Sequence, residues 1–188
     1  MRDSVPVGRS FGAREVSDDP TPFPTKVMLV VALAVSTGAV VYTASRTHPP
    51  QTADVALSLS VLTALFVFRV IGQLLVQTRP PGWLPPNEDW ALTPYALLLP
   101  VQLAIIGLLT WIDVDFARGH GTWTNPRPEF GSVVVWFSVV YAGAMLIRYA
   151  WRMSRRPEQR WFGGAIPIFF HWVLAGYLFV FGTFHASS

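Results

Sequence analysis

The chain has 188 residues, 52% hydrophobic and 13% charged, with 8 Trp and 13 Phe and a formal charge of +3 at neutral pH. So apolar a composition excludes an ordinary water-soluble domain and indicates an integral membrane protein. The absence of cysteine removes disulfides, thiolate metal sites and thiol nucleophiles, and the basic residues lie beside apolar runs, a pattern of membrane topology and not of nucleic-acid binding.

Residues 1–25 form a polar extension with four acidic residues, unlike the short basic start and small-residue cleavage site of a secretory signal. Asp18-Asp19-Pro20, Pro22 and Pro24 oppose a helix there. The chain is therefore read as a cytoplasmic extension over 1–25, followed by a transmembrane domain over 26–188. A hydrocarbon core about 30 Å thick needs about 20 apolar residues in a helix. Five segments meet that length, over 26–44, 53–77, 90–112, 132–152 and 162–184. Their separators carry the breakers: Pro49-Pro50, Pro80-Pro81 with Pro85-Pro86, Gly119 to Pro128, and Pro157. The segments are continuously apolar and lack the alternation of barrel strands. The expected fold is all-α, five transmembrane helices in an antiparallel bundle with short connections.

Five spans put the termini on opposite faces. One face then holds Arg2, Arg9, Arg14, Lys26, Arg79, Arg148, Arg152, Arg155, Arg156 and Arg160, and the other only Arg46, Arg118 and Arg127. Ten basic residues against three predict a cytoplasmic N-terminus and an outer C-terminus, with the cytoplasmic membrane of a bacterium as the expected location. Trp83, Trp90, Trp111, Trp123, Trp151 and Trp161 fall near span boundaries, where aromatic belts form. Ala32, Ser36, Ala39, Ala142, Gly143 and Gly176 are small enough for close helix approach. Pro100 and Pro167 each remove a backbone donor and are expected to kink spans three and five.

Span two carries Arg69 ten residues before Arg79, which places the guanidinium about 15 Å from the cytoplasmic boundary by helical rise. A charge at that depth costs about 2.5–3.5 kcal/mol on insertion scales and must face protein, water or ligand. Gln73 follows one turn later on the same stripe. Gln102 in span three, Tyr141 in span four and His171 in span five reach a similar level. No Asp or Glu lies in any span at that depth, so a simple ion pair for Arg69 is not offered. The five residues are the candidate ligand site: interhelical hydrogen bonding accounts for them on one reading, and a pocket for a lipid phosphate, a quinone head-group or a single-histidine-ligated pigment on another. The link containing Arg152, Arg155, Arg156 and Arg160, with Arg148 just above it, sets topology and offers contact with anionic lipid or an acidic partner.

His171 and His185, fourteen residues apart on one helix, invite a two-haem reading that fails for want of facing histidines at matching depth. His48, His120 and His185 share the outer face with Asp113 and Asp115, which end span three. They show none of the spacings of a metal motif, and no metal site is assigned. G-x-S-x-G, phosphate-binding loops and paired intramembrane carboxylates are also lacking. The functional expectation is a non-catalytic accessory subunit of a larger membrane complex, in electron transport or light harvesting, with other membrane subunits as partners and no nucleic acid. The alternatives are a small membrane oxidoreductase or quinone- or haem-binding protein, tested by a visible absorption spectrum, and a small-solute transporter, which would need a water path past Arg69.

Overall fold

The computed structural model describes residues 23–45, 51–78, 95–155 and 166–187. The N-terminal extension before Phe23, and Arg46, His48, Arg79, Arg156, Arg160, Trp83, Trp90 and Trp161 lie outside the described residues. Within them the chain is all-helical: α1 (Phe23–Ser45), α2 (Thr52–Thr78), α3 (Tyr95–Arg118), α4 (Pro128–Arg155) and α5 (Ile166–Ala186). All five are long and apolar enough to cross a membrane, and they pack together.

The helix ends correct several expected boundaries. α1 starts at Phe23, three residues early, because Pro24 sits in its first turn, where no intrahelical donor is needed. Pro167 is the second residue of α5 for the same reason and leaves the helix interior intact. Pro100, by contrast, lies inside α3. α3 also continues six residues past the expected end, to Arg118, because Asp113 and Asp115 turn inward and are buried instead of meeting solvent. Gly119, at φ 70°, then breaks the helix, its N–H bonding the Phe116 carbonyl.

Three interior stripes hold the bundle together. In α2, Leu62, Phe66, Arg69, Gln73 and Val76 recur every three or four residues and are all buried. In α3 the stripe is Gln102, Leu109, Asp113 and Phe116, and in α5 it is Ile166, Phe170, Val173, Tyr177, Val180 and Phe184. α2 packs on α1, α3 and α5, whereas α4 packs on α5 alone among the helices. The stripes of α2 and α5 therefore form the centre, with α3, α1 and α4 around it.

Of the expected close approaches, Gly176 is one and Gly143 is not. Gly143 meets nothing within 4 Å of where a Cβ would stand, and Gly176 meets Val40 Cγ2 at 3.3 Å. The tight crossing is at Gly131 and Gly182: a Cβ on Gly131 would enter the Ala186 and His185 backbone, and one on Gly182 would lie 2.9 Å from Val135 N. The start of α4 thus lies on the end of α5, while Tyr149 near the end of α4 meets Phe169 and Trp172 near the start of α5. Opposite α5, α1 and α4 stay apart. Leu33, Ser36 and Val40 face Ala142, Gly143 and Leu146 across a crevice of about 370 Å³, floored by Trp172 and Gly176.

Candidate functional site

Spacing on α2 brings Arg69 and Gln73 to one face, four residues apart, and that face meets the first turns of α3. Arg69 is 8% exposed, Gln73 0% and Gln102 4%. The Arg69 guanidinium donates from Nη1 to Gln73 Oε1 at 3.0 Å, and Gln102 donates from Nε2 to the same oxygen at 3.1 Å. Gln73 Oε1 thereby uses both lone pairs. Arg69 Cζ lies 5.7 Å from the centre of the Phe170 ring, a cation–π distance. The arginine turns into the protein instead of reaching for an interface, and among the described residues its contacts are an amide and an aromatic face.

Three atoms of this cluster remain open. Arg69 Nε and Gln73 Nε2, both donors, and Gln102 Oε1, an acceptor, are buried without a hydrogen-bond partner. Buried polar groups of this kind are uncommon in native proteins, and each costs about 1–3 kcal/mol when left so. No carboxylate bonds Arg69 among the described residues.

Tyr141 and His171 form a separate pair. The Tyr141 hydroxyl and His171 Nδ1 share a hydrogen bond between α4 and α5, and the rings meet edge to face. Both side chains are half-buried. His171 and Phe170 are consecutive on α5, so one helix presents the histidine toward α4 and the phenylalanine toward Arg69. Depth counting placed all five candidates on one level; the fold divides them three and two. The proton on the shared bond decides what His171 Nε2 offers. It is a donor if Tyr141 donates to Nδ1, and an open lone pair, suited to an axial metal bond, if Nδ1–H donates to Tyr141.

Nearer the end of the bundle that carries the α3–α4 loop, a second polar cluster lies on the same α2–α3–α5 seam. The Tyr177 hydroxyl, 1% exposed, reaches Asp113 Oδ1 at 3.0 Å and the Leu109 carbonyl at 3.3 Å. The Thr63 hydroxyl lies beside the same carboxyl without the alignment of a hydrogen bond. Thr63 precedes Arg69 by six residues, about 9 Å along the helix, so acid and guanidinium occupy different levels of one seam. This cluster escapes a reading that ends span three at its first acid. A signal was present: Gln102 and Asp113 are eleven residues apart, about three turns, and so share a face.

The loop end places the remaining candidates. Asp115 Oδ2 accepts the Trp123 backbone N–H at 3.3 Å, its carboxyl packed where a Cβ on Gly121 (φ 146°) would stand. His185, placed on the outer face by the sequence, is 1% exposed and lies among Phe130, Phe181 and Phe184 at ring distances of 5.6, 4.6 and 5.4 Å. Burial on the Gly131 crossing makes it a packing residue of α5 and removes it from the surface. His120 is exposed in the loop. No group of three or more metal-ligating side chains occurs among the described residues.

At the other end, Arg148, Arg152 and Arg155 lie on the last turns of α4, with Arg155 Cζ 4.3 Å from the Trp151 ring. Arg148 and Arg155 are exposed. Trp151 is exposed too, while Trp123, expected in an aromatic belt, packs over the bundle end against Trp111 and Phe181. No protein-family model, no curated protein and no solved structure matches the chain.

Proposed function

We propose that the chain is a non-catalytic subunit of a larger membrane assembly, of the kind that serves electron transport or light harvesting, and that it holds a lipid or pigment head-group at Arg69, Gln73 and Gln102. The observation that carries this reading is a buried guanidinium, bonded among the described residues to an amide and not to a carboxylate, amid open hydrogen-bonding atoms. Intramembrane cations of that sort mark sites where something polar is received. A further support is α4, whose outward side exposes Val133, Trp136, Phe137, Val140, Ile147 and Trp151, a broad apolar face suited to lipid or a neighbouring subunit. Anionic lipid or an acidic partner is the proposed contact of Arg148, Arg152 and Arg155, with Arg156 and Arg160 following in the sequence.

The proposed orientation is an antiparallel bundle with the N-terminus in the cytoplasm, from the ten-to-three distribution of basic residues. A membrane-impermeant thiol reagent applied from outside is expected to label Ser188→Cys and to leave Ser4→Cys unlabelled; the opposite pattern reverses the orientation. The functional reading is tested by gentle extraction from native membranes and mass spectrometry of what is retained. Wild-type protein is expected to carry membrane subunits and a lipid or pigment, and Arg69→Leu to lose the small molecule. Identical co-purification by the variant contradicts a receiving role for Arg69.

The Tyr141–His171 pair favours a second reading, in which His171 holds a pigment or haem by Nε2 with Tyr141 as orienting partner. A visible spectrum of the purified protein with a Soret or chlorin band supports it, and a spectrum without either removes it.

A further inference from the structure

Resting on the proposed receiving role of Arg69, a more definite class of ligand follows from the open atoms themselves. Two are N–H donors and one is a carbonyl acceptor. A phosphate or carboxylate would satisfy the donors but set its negative charge against the lone pairs of Gln102 Oε1. A metal cation would suit that oxygen and be repelled by the guanidinium. A neutral group that accepts twice and donates once completes all three. A hydroxyl on a neutral ring with an adjacent oxygen does so.

Depth points the same way. Arg69 stands nine residues before Thr78, the last residue of α2, about 14 Å along the helix. A phosphodiester would have to leave the interface for hydrocarbon to reach that level, whereas a neutral head-group pays little for doing so. The tail has a place as well. An apolar crevice of about 500 Å³ opens between α1, α2 and α5, lined by Met28, Val31, Leu65, Phe68 and Phe170, within the size range of ligand pockets. Phe170 is shared: its ring lines this crevice and lies under the Arg69 guanidinium. Phe170 therefore stands between the crevice and the Arg69 guanidinium.

We infer that the Arg69–Gln73–Gln102 cluster binds the reduced head-group of a quinol-type lipid, whose tail lies in the α1–α2–α5 crevice and whose head reaches the cluster past Phe170. A quinol hydroxyl accepts from one of Arg69 Nε and Gln73 Nε2 and donates to Gln102 Oε1, and the adjacent ring oxygen accepts from the other donor. The oxidised quinone only accepts and leaves Gln102 Oε1 open. Preference for the reduced form is thus built into the arrangement. Binding alone is inferred, with no electron transfer by this chain.

The test uses the full chain, delipidated and reconstituted in phosphatidylcholine nanodiscs. Decylubiquinol, decylubiquinone, oleate and phosphatidylglycerol are titrated separately, and binding is read by native mass spectrometry. One equivalent of decylubiquinol is expected to bind about tenfold more tightly than decylubiquinone, equivalent to about 1.4 kcal/mol. Gln102→Leu is expected to abolish that preference. Val31→Trp, which fills the crevice from its lipid-facing side, is expected to weaken both forms about tenfold. The wild-type comparison among probes needs no variant to fold. Equal affinity for the two redox forms overturns the inference. Arg69-dependent retention of oleate or phosphatidylglycerol, without decylubiquinol, overturns it while sustaining a receiving role for Arg69. Retention of no probe, the cluster being filled by water alone, overturns both.

Discussion

The α2–α3 seam and the α4–α5 seam join helices of similar length by opposite means. Along α2–α3 the contacts are polar at two levels, Arg69–Gln73–Gln102 and, with α5, Asp113–Tyr177. Along α4–α5 they are steric: glycine against backbone at Gly131 and Gly182, and rings at Tyr149, Phe169 and Trp172, with Tyr141–His171 as the polar exception. In hydrocarbon, apolar burial does not drive helices together, so close packing and hydrogen bonds must do so. The bundle uses one on each side. The polar side teaches a second distinction, because its two clusters are unequal. Tyr177 finds both an acid and a carbonyl, whereas three atoms around Arg69 find nothing. The Arg69 cluster leaves three buried atoms open and the Asp113 cluster one, Thr63 Oγ1, so the second is the more nearly complete fastener.

The largest expected effect breaks the steric seam. Gly182→Val should cost about 3 kcal/mol, since its Cβ would meet Val135 N, whereas Gly143→Ala, with open space around it, should cost less than about 0.5 kcal/mol. Thermal unfolding in mild detergent checks both, and equal losses would mean that α4 and α5 do not close at Gly182. Next, Arg69→Leu should raise stability by about 2 kcal/mol: removing the charge favours insertion by about 2.5–3.5 kcal/mol, offset by about 1 kcal/mol for the lost bond to Gln73. The same melts decide it, and a loss of stability would make this cluster a fastener too. Tyr177→Phe should lower stability by about 1 kcal/mol, within the range of intramembrane hydrogen bonds. The smallest effect belongs to Tyr141→Phe, about 0.5 kcal/mol, on a half-exposed bond at the steric seam. If it matched Tyr177→Phe, the contrast between the seams would narrow to one of degree.

Five apolar segments of spanning length were legible from the residues, and so was the Arg69–Gln73 stripe, because one helical turn fixes a shared face. Adding Gln102 needed only helical rise and a neighbouring span. Tyr141 and His171 were assigned to the same group by depth, but depth carries no azimuth, and among the described helices α4 packs on α5 alone. Asp113 and Asp115 were read as a helix end because an acid ordinarily seeks water; tertiary partners, Tyr177 for one and the Trp123 backbone for the other, carry α3 onward. Gly131 fell in a turn by the expected boundaries, so its role as a crossing point depended on α4 beginning at Pro128.

That α4 rests on α5 alone has a consequence for biosynthesis. A ribosome finishes α4 before α5 emerges, so the fourth helix is made before the one described helix it packs on. The broad apolar side it exposes, from Val133 through Trp136 and Val140 to Ile147 and Trp151, suits it to wait among lipids until the final segment arrives.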